Sequence, residues 1–124
     1  VEALRAAGMA VSICTNKPDY LAEELLRRLG VRDLFGALVG ADTLPVRKPD
    51  PAPYVEAVRR VGGVVARSML VGDTETDRKT GLAAGVPVAL VTFGPEGAGV
   101  ARLAPEALLD RYEDLPELVQ RLLV

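Results

Sequence analysis

Two carboxylates four residues apart, Asp73 and Asp77, sit in Val71-Gly72-Asp73-Thr74-Glu75-Thr76-Asp77, directly after the apolar run Met69-Leu70-Val71. That spacing puts the first acid at the carboxyl end of a buried strand. The second falls in the first turn of the next helix, where the macrodipole favours negative charge. Two carboxylates so placed can share one hard cation such as Mg²⁺. Two further polar stations occur: Thr15-Asn16 closes the apolar run 9–15, and Lys48 lies in Arg47-Lys48-Pro49-Asp50-Pro51. A hydroxyl, backbone N–H groups, an ammonium and a carboxylate-held metal are the parts that phosphoryl transfer uses to position its substrate and neutralise charge. Each station also has a plain structural reading: a turn opening a helix for Thr15-Asn16, a solvated lysine, and a helix-capping acid.

Composition narrows the chemistry. The 124 residues contain no histidine, which excludes Ser-His and Cys-His catalysis and His-ligated zinc within them. A single cysteine, Cys14, cannot form an internal disulfide, so a reducing, cytoplasmic setting fits, and we read it as a small core residue. The formal net charge is −2 and no basic run occurs, which argues against a nucleic-acid partner. No apolar stretch reaches the ~20 residues of a membrane helix, and no signal peptide opens the chain, so no membrane partner is expected. The length suits about one domain.

The elements that must position these stations alternate. Residues 1–7 read as the end of a helix closed by Gly8, with no residue to cap its start. The chain is therefore expected to begin inside an element, with further sequence upstream. Residues 9–15 read as a strand, followed by a helix from Pro18-Asp19 to about Leu29 whose apolar residues are Leu21, Leu25, Leu26 and Leu29, closed by Gly30. A short turn over 31–35 and a strand over 37–40 come next. The loop 42–53 carries prolines at 45, 49, 51 and 53, which make it a stiff platform for Lys48. Asp42 lies in it without an evident role. A helix over 52–61 is expected to turn Tyr54, Val55, Val58 and Val61 inward. The strand 68–72 leads into a helix over 76–84 closed by Gly85, then a strand over 86–92, a glycine-rich loop over 93–100 and a weak edge strand at 107–109. Asp114-Leu115-Pro116-Glu117 resembles a capping box before a last helix bearing Leu115, Leu118, Val119, Leu122 and Leu123 on one face. This alternation predicts an α/β fold with a parallel sheet flanked by helices on both faces. In such sheets, loops at the carboxyl ends of the strands converge on one crevice.

The three stations resemble the motifs of the haloacid dehalogenase (HAD) superfamily, most closely its phosphoglycolate phosphatase-like branch. Cys14-Thr15-Asn16-Lys17 is similar to that family's strand-end Thr-Asn, Arg47-Lys48-Pro49-Asp50-Pro51 to its lysine-proline loop, and Gly72-Asp73-Thr74-Glu75-Thr76-Asp77 to its acidic metal motif. Ala83-Ala84-Gly85-Val86 is similar to the usual continuation of that helix. The resemblance covers nearly the whole chain. It implies a Rossmann-like three-layer sandwich and a Mg²⁺-dependent phosphomonoester hydrolase acting on a small phosphorylated metabolite. It also implies roles. Thr15 would hydrogen-bond the transferring phosphoryl group with help from the Asn16 backbone, and Lys48 would pair with phosphate and nucleophile. Asp73 would bind Mg²⁺ directly or through water, with Asp77 completing the acidic cluster.

One departure is large. The family's first motif, an Asp-x-Asp whose first aspartate forms an aspartyl-phosphate, occurs nowhere in these 124 residues, and neither does the substrate-selecting cap. Residues 1–124 thus read as the C-terminal part of a HAD-like core without its first strand, to be completed by an upstream segment or a complementary chain. That strand would lie between those ending at Thr15 and Asp73. Alone, the chain is expected to be inactive. The alternative is a non-catalytic phosphate- or metal-binding module derived from the same fold. A receiver-like signalling domain fits less well, because its phosphorylated aspartate should end a strand between the acidic pair and the lysine.

Overall fold

The computed structural model describes residues 2–123. The chain forms two compact units of contiguous sequence, Val1–Val64 and Val65–Val124.

In the first unit, helix α1 (Glu2–Ala6) leads to strand β1 (Ser12–Cys14), helix α2 (Asp19–Arg28), a 3₁₀ turn at Arg32–Leu34, strand β2 (Ala37–Val39) and helix α3 (Ala52–Arg60). Gly8 turns the chain out of α1 at φ +86°, a left-handed conformation that glycine adopts without strain. β1 and β2 pair in parallel, with Ser12 opposite Ala37, Ile13 opposite Leu38 and Cys14 opposite Val39. The core gathers β2, whose three residues are all buried, with Ala22 of α2 and Tyr54 and Ala57 of α3. Cys14 is half-buried rather than fully enclosed.

Two helix faces differ from expectation. On α2, Leu21, Leu25 and Leu29 stand exposed, and Ala22 is the buried residue. The cause is close approach: a β-carbon on Gly40, just after β2, would lie 2.5 Å from the Asp19 backbone, so the start of α2 rests directly on the strand end. A residue three positions on faces the same way, and only a small one fits there. On α3, Val55 is exposed, because the buried stripe runs through Tyr54 and Ala57, three residues apart, and Val55 lies about 100° round from Tyr54.

In the second unit, strand β3 (Leu70–Gly72) is followed by helix α4 (Glu75–Ala84), strand β4 (Val88–Val91), a 3₁₀ stretch at Gly97–Leu103, strand β5 (Ala107–Leu109), a 3₁₀ turn at Tyr112–Asp114 and helix α5 (Leu115–Leu123). The sheet order is β3-β4-β5, all parallel, with Leu70 opposite Val88 and Ala89 opposite Ala107. Central β4 is buried throughout, as a strand covered on both faces should be. Edge β5 alternates, with Ala107 and Leu109 buried and Leu108 exposed. A β-carbon on Gly81 would run into the Val88 side chain, so α4 packs backbone-close on β4. Leu115, Leu118 and Val119 are the buried face of α5.

Parallel α/β architecture therefore holds, carried by a two-stranded and a three-stranded sheet. One local expectation does not. Residues 97–103 are helical rather than loop, because Val100 is fully buried and Arg102 ties back to Glu96 and to the Gly99 carbonyl. At Asp114 the 3₁₀ turn runs straight into α5, and the Asp114 carboxylate accepts from Arg111. Among the described residues, no helix is long and apolar enough to cross a membrane.

Candidate active site

Thr15 follows β1 and extends its pairing, its N–H donating to the Val39 carbonyl at 2.9 Å. Its hydroxyl accepts the Lys17 N–H at 3.2 Å, which closes a tight turn. A hydroxyl that accepts one bond keeps a proton to donate. The Lys17 carbonyl in turn accepts from Ala41 N–H at 2.9 Å, so the turn is tied to both strands of the unit. Asn16 projects from this anchored turn, and its side-chain amide meets the Lys48 backbone twice. The Lys48 N–H donates to Asn16 Oδ1 at 3.1 Å, and Asn16 Nδ2 donates to the Lys48 carbonyl at 3.2 Å. Thr15, Asn16 and Lys48, 33 positions apart in sequence at their extremes, are thus brought together at one strand end. Lys48 is half-buried.

The neighbouring helix end is capped from a distance. Pro18 at the N-cap of α2 has no side chain to offer, and Asp42 Oδ1 accepts the Asp19 N–H at 2.8 Å instead. Thr43 Oγ1 joins the same knot, accepting from Gly40 N–H at 2.8 Å and donating to Asp19 Oδ2 at 3.2 Å. Asp42 was the loop residue without an evident role; it holds the start of α2 against the end of β2.

In the second unit, β3 ends at Gly72, and Asp73 follows half-buried. Asp77, nearly fully buried, folds its carboxylate back over the turn. Its Oδ2 accepts from Asp73 N–H at 3.0 Å, Thr74 N–H at 3.3 Å and Thr74 Oγ1 at 3.2 Å. Thr74 and Asp77 form a reciprocal capping box at the start of α4. Two glycines make room. A β-carbon on Gly72 would collide with the Asp77 side chain, and one on Gly94 would press on Asp73 Cβ. Glu96 completes the enclosure, its Oε2 accepting the Glu75 N–H at 3.1 Å while Arg102 holds Oε1 at 3.0 Å. The Arg102 guanidinium, then the Glu75 N–H, keep the Glu96 carboxyl below the usual carboxylate range. Sequence spacing could not reveal Asp42 or Glu96, which act 23 and 21 positions from their partners.

The two carboxylates offer hard oxygen donors of the kind Mg²⁺ prefers. Asp77 is engaged through one oxygen in shaping the turn, and Asp73 emerges at the strand end. Among the described residues, no group of three or more acids or cysteines gathers as a metal cluster, so this pair would be part of a coordination sphere. The five residues of interest fall into two groups, Thr15, Asn16 and Lys48 in one unit and Asp73 and Asp77 in the other.

Comparison with known proteins gives a consistent picture. The phosphoglycolate phosphatase of Cereibacter sphaeroides is 41% identical over 120 residues, covering 97% of this chain and 54% of that protein. That of Rhodospirillum rubrum is 42% identical over 113 residues, covering 91% of this chain and 47% of that one. The chain thus spans about half the length of these curated relatives. A crystal structure of a predicted phosphoglycolate phosphatase from Haemophilus somnus matches with TM-score 0.86 and 30% identity, over 96% of this chain and 53% of that one. A crystal structure of a β-phosphoglucomutase-like protein from Thermotoga maritima shares the fold, with TM-score 0.83 and 22% identity over 98% of this chain and 57% of the other. The family model for haloacid dehalogenase-like hydrolases matches residues 1–85, and on that match and these relatives the chain belongs to the haloacid dehalogenase-like hydrolases.

Proposed function

We propose that this chain is the C-terminal part of the core of a Mg²⁺-dependent phosphomonoester hydrolase, phosphoglycolate phosphatase-like, acting on a small phosphorylated metabolite in the cytoplasm. Thr15 donates its hydroxyl hydrogen bond to the phosphoryl group, and the Asn16 backbone assists. Lys48 neutralises phosphate charge and orients the attacking carboxylate, which an upstream segment supplies. Asp73 holds Mg²⁺, and Asp77 fixes the turn and completes the acidic pair. Bound Mg²⁺ supplies charge neutralisation at the phosphoryl oxygens.

The observation that carries this reading is the meeting of two stations: the Asn16 amide grips the Lys48 backbone, so hydroxyl and ammonium leave from one strand end. A solvated turn and an unrelated loop would have no cause to meet there. The test is to assay the full-length protein, with and without Mg²⁺, against p-nitrophenyl phosphate and 2-phosphoglycolate. Mg²⁺-dependent release of phosphate is expected. A folded full-length protein carrying an upstream Asp-x-Asp yet inert toward a broad panel of phosphate esters would favour a non-catalytic phosphate-binding module instead.

A further inference from the structure

We propose that the Asn16 side chain is a positioning residue for Lys48, acting on catalysis only through the lysine. The inference rests on the phosphatase reading above and concerns how its charge stabiliser is held.

Lys48 lies in a loop with prolines at 45, 49, 51 and 53, none of which can offer an N–H to anchor the chain. Stiffness fixes the shape of such a loop, but it does not fix where the loop sits. The Asn16 amide does that. It bonds the peptide groups on both sides of the Lys48 Cα, the N–H at 3.1 Å and the C=O at 3.2 Å. Only one orientation of the amide satisfies both, oxygen to N–H and nitrogen to C=O. The grip is backed by an anchored turn, since Thr15 N–H bonds Val39 and Lys17 C=O bonds Ala41. The Lys48 Cα is therefore referenced to β1 and β2, and its side chain departs from a fixed point. An aspartate at position 16 would keep the acceptor for Lys48 N–H but set an anionic oxygen against its carbonyl. Serine and alanine are too short to reach both groups.

The experiment is a double-mutant cycle in the full-length protein, with p-nitrophenyl phosphate as probe and thermal melting of every variant first. Asn16→Ala is expected to lower kcat by about 10- to 10²-fold, the loss a misplacement of ~1 Å brings. In a Lys48→Ala background the same change should cost less than about threefold, because the group it positions has gone. Asn16→Asp should fall between wild type and Asn16→Ala, and it serves as the folded variant if Asn16→Ala melts early. An equal loss in both backgrounds, or no loss beside an intact lysine, overturns the proposal. Amide hydrogen exchange separates this from failure of the phosphatase reading. Protection of the Lys48 N–H should drop at least tenfold in Asn16→Ala whether or not the protein hydrolyses esters, and unchanged exchange would refute the grip itself. A wild-type protein inert to both esters, with the exchange result as expected, removes the catalytic role and leaves Asn16 a structural clasp.

Discussion

Gly94 lies directly behind Asp73: a β-carbon there would stand 2.8 Å from the β-carbon of Asp73. The first acid of the 73–77 pair is thus backed by the loop that leaves β4, and the backing tolerates no side chain. Gly94→Ala should push Asp73 off its position and lower stability by roughly 1–3 kcal/mol through overpacking. In the full-length protein the Mg²⁺ concentration giving half-maximal activity should rise. An alanine variant with unchanged melting and unchanged Mg²⁺ dependence would show that the loop yields freely.

Asp77 should matter to folding before it matters to chemistry. Its Oδ2 accepts from two backbone N–H groups and a hydroxyl. Asp77→Ala leaves the Asp73 and Thr74 N–H groups without this partner and should cost about 2–4 kcal/mol, the size of losing charged acceptors from partly buried donors. Asp77→Asn keeps one oxygen and should cost less. Chemical denaturation of both variants measures the difference, and equal stability of wild type and Asp77→Ala would contradict the role.

Glu106 should contribute to the protein's acid sensitivity. Burial raises its carboxyl, but the Val88 N–H and the Arg78 guanidinium outweigh that and hold it below its ordinary value of 4.5. A group whose folded form titrates lower than its unfolded form contributes stability above the unfolded value and loses it as pH falls through the folded one. Glu106→Gln should therefore melt lower than wild type at pH 7, and the gap should narrow as the pH falls below 4.5. Melting curves from pH 7 to pH 3 test this; a gap constant across the range would remove Glu106 from the acid response.

Catalytic roles should separate by size in the full-length protein. If Asp73 holds Mg²⁺ as proposed, Asp73→Asn should lose most activity. Lys48→Ala should lose roughly 10²- to 10³-fold, as when one preorganised charge stabiliser is removed. Thr15→Ala should lose less, since a neutral hydroxyl makes a weaker bond than an ammonium. Mg²⁺-dependent turnover that survives Asp73→Asn would undo the assignment.

On the proposed reading, Mg²⁺ affinity of the 124-residue chain should be weak, millimolar or poorer and thus about −4 kcal/mol or less favourable, because Asp73 and Asp77 alone would be only part of its coordination. Titration calorimetry reporting micromolar binding would require a fuller site than Asp73 and Asp77.

What could be read from sequence followed the range of the forces involved. The α4 stop at Gly85, left-handed at φ +71°, and the parallel strands of the second unit announce themselves through local spacing. The inward faces of α2 and α3 did not, because they depend on which neighbour comes close. Gly40 against Asp19 draws Ala22 inward and leaves three leucines exposed, and no periodicity records that contact. The same limit applied to the candidate site. Thr15, Asn16, Lys48, Asp73 and Asp77 stood out as motif residues, whereas Asp42 and Glu96 serve partners more than twenty positions away. A capping box also forms at Thr74 with Asp77, a pairing hidden inside the acidic motif.

The division into contiguous units has a bearing on biosynthesis. Every strand partner in the first unit lies within residues 12–39, and its covering helix α3 ends at Arg60. A ribosome adds residues at roughly 5–20 per second, and chains fold N-terminal units first. The β1–β2 pair, the Asn16 grip on Lys48 and the Asp42 cap can therefore all form before the second unit has left the ribosome. Nascent chains stalled once residues 1–64 have cleared the ribosome should already carry the Asn16–Lys48 clasp and the Asp42 cap.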